Sequence, residues 1–368
     1  MNIMKIGILT LHSGANYGGT LQCIALYNLL KNNGHIVEVI DFKPTLTASW
    51  FKRLLYNISS VRCIGDLEKL FRKKTESCKV LNKNLTSVFD EYRQNELRFS
   101  ASCNELSISK VAGGYDIIVV GSDQVWSSTV RTHLTYMGDW IPMFHGKLYS
   151  YAACAVTRKY PIIRKSKIRH LLDKFEVLSV RDKSSKEFVC DFLLSREVRI
   201  DLDPTLLYSF ENTLPTFEDK ESYILVYVLG KEMQEGNKIA IDMIKKNVGE
   251  VKVLAITIYD EDVTYADTTI KNATPTQWLA YIKNACFVFT DSFHGEVFSI
   301  LFKKRFYVYY VEENRASRII DLSKLFHVED RVVTETKKMN IHVMSEISFS
   351  DYEKMKQESL NYINSIGK

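Results

Sequence analysis

The sequence has little proline, glycine or net charge, and it has no long apolar run. Only 6 Pro and 16 Gly occur in 368 residues, which argues against a long flexible linker and against low-complexity segments. The 7 Cys residues are scattered and form no C-x-x-C pair, so we expect neither a disulfide framework nor a tetrahedral zinc site. No apolar stretch approaches the roughly 18 residues that a membrane span requires. These absences predict reduced thiols and no bound metal.

The charge and the first residues exclude two further classes. A net charge of +5 is mild for a nucleic-acid binder, and the sequence has no zinc-finger spacing, no basic heptad region and no aromatic RNA-binding signature. We therefore expect no nucleic-acid partner. The apolar residues 6–11 lead directly into a glycine-containing loop, which is typical of a first β-strand and not of a secretory signal. The predicted location is cytoplasmic, and work at the inner face of the membrane is left open.

Apolar runs of strand length recur along the chain, with helical patterns between most of them. The runs span residues 6–11, 36–42, 117–120, 149–156, 177–180, 224–229, 251–258, 287–290 and 306–310. Strands that alternate with helices predict an α/β fold, and about nine strands suit two Rossmann-like domains that face an interdomain cleft. We place the domains at residues 1–212 and 213–368. A terminal helix at 351–366 is expected to pack back on the rest of the chain.

Residues 43–108 interrupt this alternation with a basic segment that is predicted to be a helical insertion in the first domain. Ten Lys or Arg residues lie from Lys43 to Lys83, against three acidic residues, and Trp50 and Phe51 lie among the first of these charges. Two interpretations remain open for the segment. It forms a solvated helical face, or it contacts an acidic lipid surface or an anionic acceptor as a peripheral membrane patch.

The first candidate site is the loop S-G-A-N-Y-G-G-T at 13–20, between the first strand and the first helix. Backbone N–H groups at a helix start, with glycines that let a ligand approach closely, can bind a phosphate or a carboxylate. The residues expected to contact such an anion are Ser13, Gly14, Asn16, Gly18 and Gly19. The loop is neither G-x-G-x-x-G nor a Walker A sequence, which argues against NAD and P-loop nucleotides. A tight turn that needs glycine for geometry alone is the alternative.

The second candidate, V-G-S-D-Q-V-W at 120–126, follows a buried strand. Asp123 is placed to act as a general base towards a hydroxyl, and Trp126 offers an aromatic face to a sugar ring, with Gln124 between them. In the alternative interpretation Asp123 caps a helix and Trp126 lies in the core.

The third candidate is Arg181, at the end of the strand at 177–180. A guanidinium there can form two hydrogen bonds with a carboxylate or a phosphate. The alternative is a simple ion pair with Asp182 or another acid. The nearby D-P-T-L-L at 203–207 is interpreted mostly as a structural turn.

The fourth candidate, T-D-S-F-H-G-E at 290–296, has the strongest pattern. A His and a Gly at a strand-to-helix junction place an imidazole and backbone amides in the predicted cleft. His294 is therefore expected to act as an acid, a base or a phosphate ligand, although a lone His is more often part of the structure. Ser292, Gly295 and Glu296 belong to the same junction.

Taken together, these motifs resemble those of the polysaccharide pyruvyl transferase family. The resemblance rests on N-Y-G-G-T-L-Q at 16–22, V-G-S-D-Q-V-W at 120–126, S-Y-A-A at 150–153, S-V-R-D at 179–182, D-P-T-L-L at 203–207 and D-S-F-H-G at 291–295. It implies a fold similar to the GT-B glycosyltransferases and the transfer of pyruvate from phosphoenolpyruvate onto a sugar as a ketal. It also implies that Arg181 and His294 contact this donor. The acceptor would belong to a cell-surface polysaccharide, such as a capsule or exopolysaccharide, or to its lipid-linked precursor.

The sequence departs from the family at one position. Some members carry an Arg two residues before the His, where this chain has Ser292. Arg315 and Arg318, one element later, are expected to add cations to the same cleft, and either could replace the missing one. Ordinary surface arginines are the alternative for both.

The chemistry of the donor assigns roles to these residues. Phosphoenolpyruvate carries a phosphate and a carboxylate, so its site needs cations and amide donors, and we expect no metal or other cofactor. Ketal formation needs an acid and a base, for which we expect His294 beside the leaving phosphate and Asp123 near the attacking hydroxyl. The side chains expected to contact the acceptor sugar are Trp126, Gln124 and Glu296.

Two other functions remain open from the sequence. A GT-B glycosyltransferase with a nucleotide-sugar donor would have the same architecture, because fold does not fix function. Retaining enzymes of that type usually place two Glu eight positions apart in this region, but the residue eight positions after Glu296 is Lys304. A non-catalytic protein that binds a nucleotide or a sugar phosphate is the third function, and polar residues at several strand ends argue against it.

Overall fold

The computed structural model describes residues 3–44, 81–127, 134–141, 144–155, 162–216, 221–230, 234–310, 313–334 and 344–368. Within these ranges the side chains of 162–164, 234–235 and 313–315 are not described. Residues 45–80, with Trp50 and Phe51, lie outside the described residues. The predicted contact of this basic segment with a lipid surface or an anionic acceptor therefore stays a prediction.

The N-terminal half forms a parallel sheet whose strands are short apolar runs. Its first four strands in spatial order are β2 (Ile36–Val39), β1 (Lys5–Leu9), β3 (Ile117–Val120) and β4 (Lys147–Ser150). Parallel bridges from Tyr149 to Val177 and from Ala153 to Val180 extend the sheet to β5 (Leu178–Val180) and β6 (Val198–Ile200). Every residue of β3 is buried, as expected for a parallel strand that is covered on both faces.

Residues 99–103 occupy a further strand position, beside β2. Parallel bridges join Val39 to Phe99 and Phe42 to Cys103. A helix at Lys83–Glu96 directly precedes these residues, so the described part of the predicted insertion belongs to the crossover between two neighbouring strands. This corrects the prediction that 43–108 is an insertion throughout, because its last part extends the sheet.

The C-terminal half forms a second parallel sheet. Its strands in spatial order are β12 (Val332–Val333), β11 (Phe306–Tyr309), β10 (Phe287–Thr290), β7 (Tyr223–Tyr227), β8 (Lys252–Ile256) and β9 (Thr268–Ile270). With 99–103 included, both sheets follow the order 3-2-1-4-5-6 of the doubly wound fold. The chain therefore folds as two Rossmann-like α/β domains, as predicted. The predicted boundary at residue 212 falls between β6 and β7.

Helices connect the strands on both faces of each sheet. They are α1 (Tyr17–Asn32), α2 (Lys83–Glu96), α3 (Ile108–Ala112), α4 (Ile162–Leu172), α5 (Lys183–Cys190), α6 (Gln234–Val248), α7 (Pro275–Asn284), α8 (Phe293–Leu301), α9 (Glu313–Leu325) and α10 (Ser350–Ser365). Within the described residues, no helix is long and apolar enough to cross a membrane.

The two domains contact each other through α1. Tyr17, at the start of this helix, stacks on Trp278 of α7 with ring centroids 5.1 Å apart, and its hydroxyl donates to the carbonyl of Ala273 at 2.9 Å. Tyr17 and Trp278 are both fully buried. This apolar contact brings the start of α1 close to the start of α8, which carries the D-S-F-H-G motif.

The terminal helix α10 packs back on the N-terminal domain. Tyr362 stacks on Tyr151 with ring centroids 5.9 Å apart, and its hydroxyl donates to the carbonyl of Ser150 at 2.8 Å. Ser359 accepts a hydrogen bond from the backbone of Leu202 at 3.0 Å. Since Leu202 directly precedes the D-P-T-L-L turn, α10 also supports the backbone at the edge of the cleft.

Candidate active site

The glycine loop directly follows β1. The strand order of the first sheet reverses at this position, between β1 and β3. Asn16 is the N-cap of α1, and its side chain accepts a hydrogen bond from Gly19 N at 2.9 Å. Gly14 adopts a φ of 84°, in the left-handed region. Gly14 and Ser13 are both exposed to solvent. Ligands of doubly wound folds bind at this edge. The amide of Gly19 and the side chain of Asn16 are nevertheless engaged with each other, so their predicted contact with an anion would require this cap to open.

Gly18 lies directly against the imidazole of His294 from the other domain. A β carbon at position 18 would overlap the ring at Nδ1, Cγ and Cε1. The structure thus brings together the first and the fourth candidate sites, which lie at opposite ends of the sequence. It also explains why position 18 is a glycine, because the close approach of the two domains leaves no room for a β carbon there.

Arg93 holds the glycine loop from outside, and the sequence analysis did not identify it. This side chain, 2% exposed, donates from Nη1 to the carbonyl of Gly14 at 2.7 Å and to Thr20 Oγ1 at 3.2 Å. Its Nη2 pairs with Asp90 at 2.5 Å. The available signal was its four-residue spacing from the buried Phe89, on the same face of the helix, but its partner lies more than seventy residues away in sequence.

The loop after β3 places Asp123 in the same cleft. Asp123 has a φ of 76°, which is uncommon for a residue other than glycine and is found disproportionately at functional sites. Its Oδ1 lies 3.5 Å from Nη2 of Arg181, and the residue is 7% exposed. Among the described residues no helix begins at Asp123, so the helix-cap alternative is wrong.

Trp126 lies in the core of the first domain and not at the cleft surface. It is fully buried, its indole N–H donates to the carbonyl of Tyr136 at 3.0 Å, and its ring packs on Phe175. No face of the ring is open to a sugar. The expectation that Trp126 contacts the acceptor is therefore corrected, because the ring completes the apolar layer beneath the sheet.

Arg181 and Asp203 form a buried ion pair at the ends of β5 and β6. Nη1 of Arg181 donates to Oδ2 of Asp203 at 2.6 Å, and the two residues are 8% and 1% exposed. Asp182, the partner considered from the sequence, instead caps α5 by accepting from Ser185 N at 2.7 Å. Thr205 donates from both its backbone N and its Oγ1 to the other carboxylate oxygen of Asp203. The D-P-T-L-L segment is a turn as expected, but Asp203 also belongs to the site.

His294 reaches the same carboxylate from the second domain. Its Nε2 lies 3.5 Å from Oδ2 of Asp203, within ion-pair range, and the residue is 8% exposed. Burial acts to raise the pKa of Asp203, but His294, Arg181 and Thr205 outweigh it and hold this pKa well below its usual range. Asp203 is therefore an anion at neutral pH, shared by a cation from each domain.

Phe293 and Arg318 complete the cluster. The ring of Phe293 lies under two guanidinium groups, with the Cζ atoms of Arg181 and Arg318 at 4.7 Å and 5.8 Å from its centroid. With its amide oxygen turned towards Arg318, Gln124 accepts from both Nη atoms at 2.8 Å. Gln124 thus holds a cation, and its predicted contact with the acceptor is not supported. The side chain of Arg315 lies outside the described residues.

Three nitrogen atoms in this cluster are buried without a hydrogen-bond partner among the described residues. They are Nε of Arg181, Nε2 of His294 and Nε of Arg318. A cavity of about 350 Å³ is lined by Arg181, Asp203, Phe293 and Arg318 among other residues, whereas His294 is not part of its lining. Its size is that of a small-molecule site. Buried donors normally find acceptors, so donors that converge beside a cavity favour a ligand with several anionic oxygens.

The remaining residues of the fourth motif serve the structure of α8. Ser292 is the N-cap of the helix and accepts from Gly295 N at 3.3 Å, so the predicted donor contacts of these two groups compete with the cap. Gly295 packs against Thr290 so closely that a β carbon would overlap its side chain. Glu296 is fully buried and accepts from Ser323 Oγ at 2.5 Å, and burial raises its pKa well above the usual range. The expectation that Glu296 contacts the acceptor is therefore corrected.

No group of three or more His, Cys, Asp or Glu side chains within the described ranges is arranged to hold a metal ion. The site is instead a cluster of Arg181, Arg318 and His294 around the buried carboxylates of Asp203 and Asp123. Its chemistry suits the binding of an anion.

The described residues form a two-domain fold of the GT-B type. The sequence model of the polysaccharide pyruvyl transferase family matches residues 16–313, most of the chain, so the protein belongs to that family. As a member, it is a transferase of polysaccharide biosynthesis. No curated protein matches the chain by sequence.

Solved structures with the same fold bind sugar nucleotides. The UDP-GlcNAc 2-epimerase of Neisseria meningitidis, bound to UDP-GlcNAc, is 12% identical with a TM-score of 0.52, over 99% of this chain and 98% of that chain. The UDP-GlcNAc 2-epimerase of Methanocaldococcus jannaschii, in complex with UDP-GlcNAc and UDP, is 13% identical with a TM-score of 0.52, over 98% and 100%. UGT89C1 of Arabidopsis thaliana is 9% identical with a TM-score of 0.51, over 99% and 98%. At these identities the similarity shows the fold alone, and it confirms the predicted GT-B architecture.

Proposed function

We propose that the protein transfers the pyruvate moiety of phosphoenolpyruvate onto a sugar of a polysaccharide, or of its lipid-linked precursor, as a ketal. The observation that carries the proposal is the pair of buried, unpartnered Nε atoms of Arg181 and Arg318, whose side chains line one cavity. Phosphoenolpyruvate carries a carboxylate and a phosphate on the same carbon atom. It therefore offers acceptor oxygens to several donors at once.

Arg318 is the cation that we place where other family members use an Arg at position 292. It lines the same cavity as Arg181 and lies over the same ring of Phe293. Gln124 binds its two Nη atoms and leaves Nε without a partner, so the guanidinium is oriented but not neutralised by an acid. This geometry supports Arg318 as the replacement. The described residues give no such support for Arg315.

The reaction balances with one acid and one base. The methylene carbon of phosphoenolpyruvate gains a proton, two sugar hydroxyl oxygens bond to the adjacent carbon, and the bond from that carbon to the phosphate oxygen breaks. Of the two hydroxyl protons released, one balances the proton gained by the methyl group and one leaves with the phosphate. No oxidant, reductant or metal is needed for this balance.

His294 and Asp123 are the residues that we assign to these proton transfers. His294 contacts the buried carboxylate of Asp203, and we place it next to the leaving phosphate as an acid that stabilises the developing charge. Asp123 lies at the edge of the cation cluster, 3.5 Å from Arg181, and we place it as the base that takes a hydroxyl proton. Both lie at the carboxyl ends of strands, one from each domain.

The test is the release of inorganic phosphate from phosphoenolpyruvate, with and without a panel of galactose-, mannose- and glucose-containing acceptors. We expect release that depends on an acceptor and that is lost in His294→Ala and in Arg181→Ala. Arg199→Ala is the matched control, since Arg199 also pairs with a buried Asp at the end of a strand but lies outside the cation cluster.

Three outcomes decide the proposal. Acceptor-dependent release of phosphate that requires Arg181 and His294 supports it, and the acceptor that reacts identifies the sugar. Normal turnover in His294→Ala would remove the role of that residue. If phosphoenolpyruvate neither reacts nor binds while a uridine nucleotide raises the melting temperature, the donor is a nucleotide sugar and the proposal is wrong.

A further inference from the structure

We propose that Asp203 is a positioning residue for the transfer, which holds Arg181 and His294 in the arrangement that binds and activates the donor. The inference rests on the proposed function and goes beyond it, since the segment around Asp203 is otherwise a turn. Its basis is that one carboxylate contacts the functional side chains of both domains.

The carboxylate of Asp203 is fixed in orientation. Thr205 donates to Oδ1 from its backbone N at 3.0 Å and from its Oγ1 at 2.7 Å. Oδ2 is thereby directed at Arg181 Nη1 at 2.6 Å, at His294 Nε2 at 3.5 Å and at Ser122 Oγ at 3.3 Å. Two cations and a hydroxyl from three separate segments thus meet at one oxygen atom.

This arrangement fixes the orientation of Arg181 and the ring nitrogen of His294 that carries a proton. Because Nη1 of Arg181 is bound to Asp203, the guanidinium cannot turn, and its unpartnered Nε keeps one direction beside the cavity. A ring nitrogen that faces a carboxylate carries a proton, so Asp203 also selects the form of His294 with a proton on Nε2. The same logic orients the histidine of a Ser-His-Asp triad.

The other charged groups near His294 do not replace this carboxylate. Arg181 and Arg318 flank Phe293, the residue before His294, and both are cations. Asp123 lies 3.5 Å from Arg181, and Glu296, on the same helix as His294, is buried against Ser323. Among these groups, Asp203 is the acid in ion-pair contact with the imidazole.

The test compares Asp203→Asn with the wild type and with Asp201→Asn. Asp201 is an equally buried acid two residues away, paired with Arg199 and bonded to Ser179, outside the cation cluster. We expect kcat for phosphoenolpyruvate to fall by about 100-fold in Asp203→Asn. We also expect KM for phosphoenolpyruvate to rise, because the guanidinium of Arg181 loses the carboxylate that orients it. Asp201→Asn is expected to keep the wild-type kcat and KM.

A second readout separates this inference from the proposed function. The ¹⁵N signals of the His294 imidazole, recorded without substrate, report which ring nitrogen carries the proton. In Asp203→Asn the preference for a proton on Nε2 is expected to be lost. This result would support the contact even if phosphoenolpyruvate proved not to be the donor.

Asp203→Glu keeps the negative charge and is the second variant to measure if Asp203→Asn does not fold. It is expected to keep the proton of His294 on Nε2 while kcat falls, because the longer side chain displaces the carboxylate. Equal kinetics and equal imidazole ¹⁵N signals for wild type and Asp203→Asn would overturn the inference. The same holds if Asp201→Asn lowers kcat as far as Asp203→Asn does.

Discussion

Gly18 and His294 are in contact across the domain interface, with the backbone of the first against the imidazole of the second. Gly18 lies in the first turn of α1, and a β carbon there would overlap the ring. The position of the proposed acid therefore depends on a residue without a side chain in the other domain.

A methyl group at position 18 should displace His294. We expect Gly18→Ala to lower kcat for phosphoenolpyruvate by about 100-fold, because misplacement of a catalytic group by about 1 Å has an effect of this size. Steady-state kinetics with a saturating acceptor measures the change. Gly113→Ala is the control, since a β carbon at 113 would make only ordinary contacts. Unchanged kinetics in Gly18→Ala would show that the two groups are not in contact during turnover.

Removal of Arg318 should weaken donor binding. In Arg318→Ala we expect KM for phosphoenolpyruvate to rise by about tenfold or more, because a charged hydrogen bond contributes about 1.5–3 kcal/mol. Arg315→Ala, measured beside it, tests the other candidate for the missing cation. A larger rise in KM for Arg315→Ala than for Arg318→Ala would contradict our assignment.

Trp126 should matter for stability and not for the acceptor. We expect Trp126→Ala to lower the free energy of unfolding by about 3–5 kcal/mol, because it leaves a large cavity in the core. Trp126→Phe keeps most of the ring volume and loses the hydrogen bond to Tyr136, so its cost should be smaller. Urea unfolding measures both. If Trp126→Phe folds normally but raises KM for the acceptor severalfold, the ring does contact the sugar.

Glu296 should make the stability depend on pH. Burial raises the pKa of this carboxyl, so the folded protein keeps it neutral at a pH where the unfolded chain, with a pKa of about 4.3, has already lost the proton. The contribution of Glu296 to stability is therefore fully present below about pH 4.3 and is lost as pH rises through its pKa in the folded state.

Glu296→Gln removes this loss of stability at high pH, because the amide is neutral at every pH. We expect its melting temperature to exceed that of the wild type at pH 8 and to approach it near pH 4.5. Glu91→Gln, at an exposed position on α2, is the control and should show no such trend. An equal difference from the wild type at both pH values would mean that Glu296 is ionised in the folded protein.

The sequence patterns located the strands and the sites at their ends, but not every strand. Long apolar runs identified β1, β3 and β10, whose carboxyl ends carry the glycine loop, Asp123 and the D-S-F-H-G motif, and they also identified β7. β6, β9 and β12 were missed because two or three residues are too few to show a period. The strand position at 99–103 was hidden within a segment whose charge suggested an insertion.

The sequence by itself determined that the chain has two α/β domains of one family, because strand and helix periods and loop motifs are local properties. It also predicted that Arg181 and His294 contact the donor, and this stays a prediction. Only the tertiary structure decided that Asp203 joins these two residues and that Trp126 and Glu296 are buried away from the cleft. Such pairings depend on how α1, α8 and the ends of β5 and β6 meet across the domain interface. Distances between residues far apart in the chain are fixed by packing, which no local pattern records.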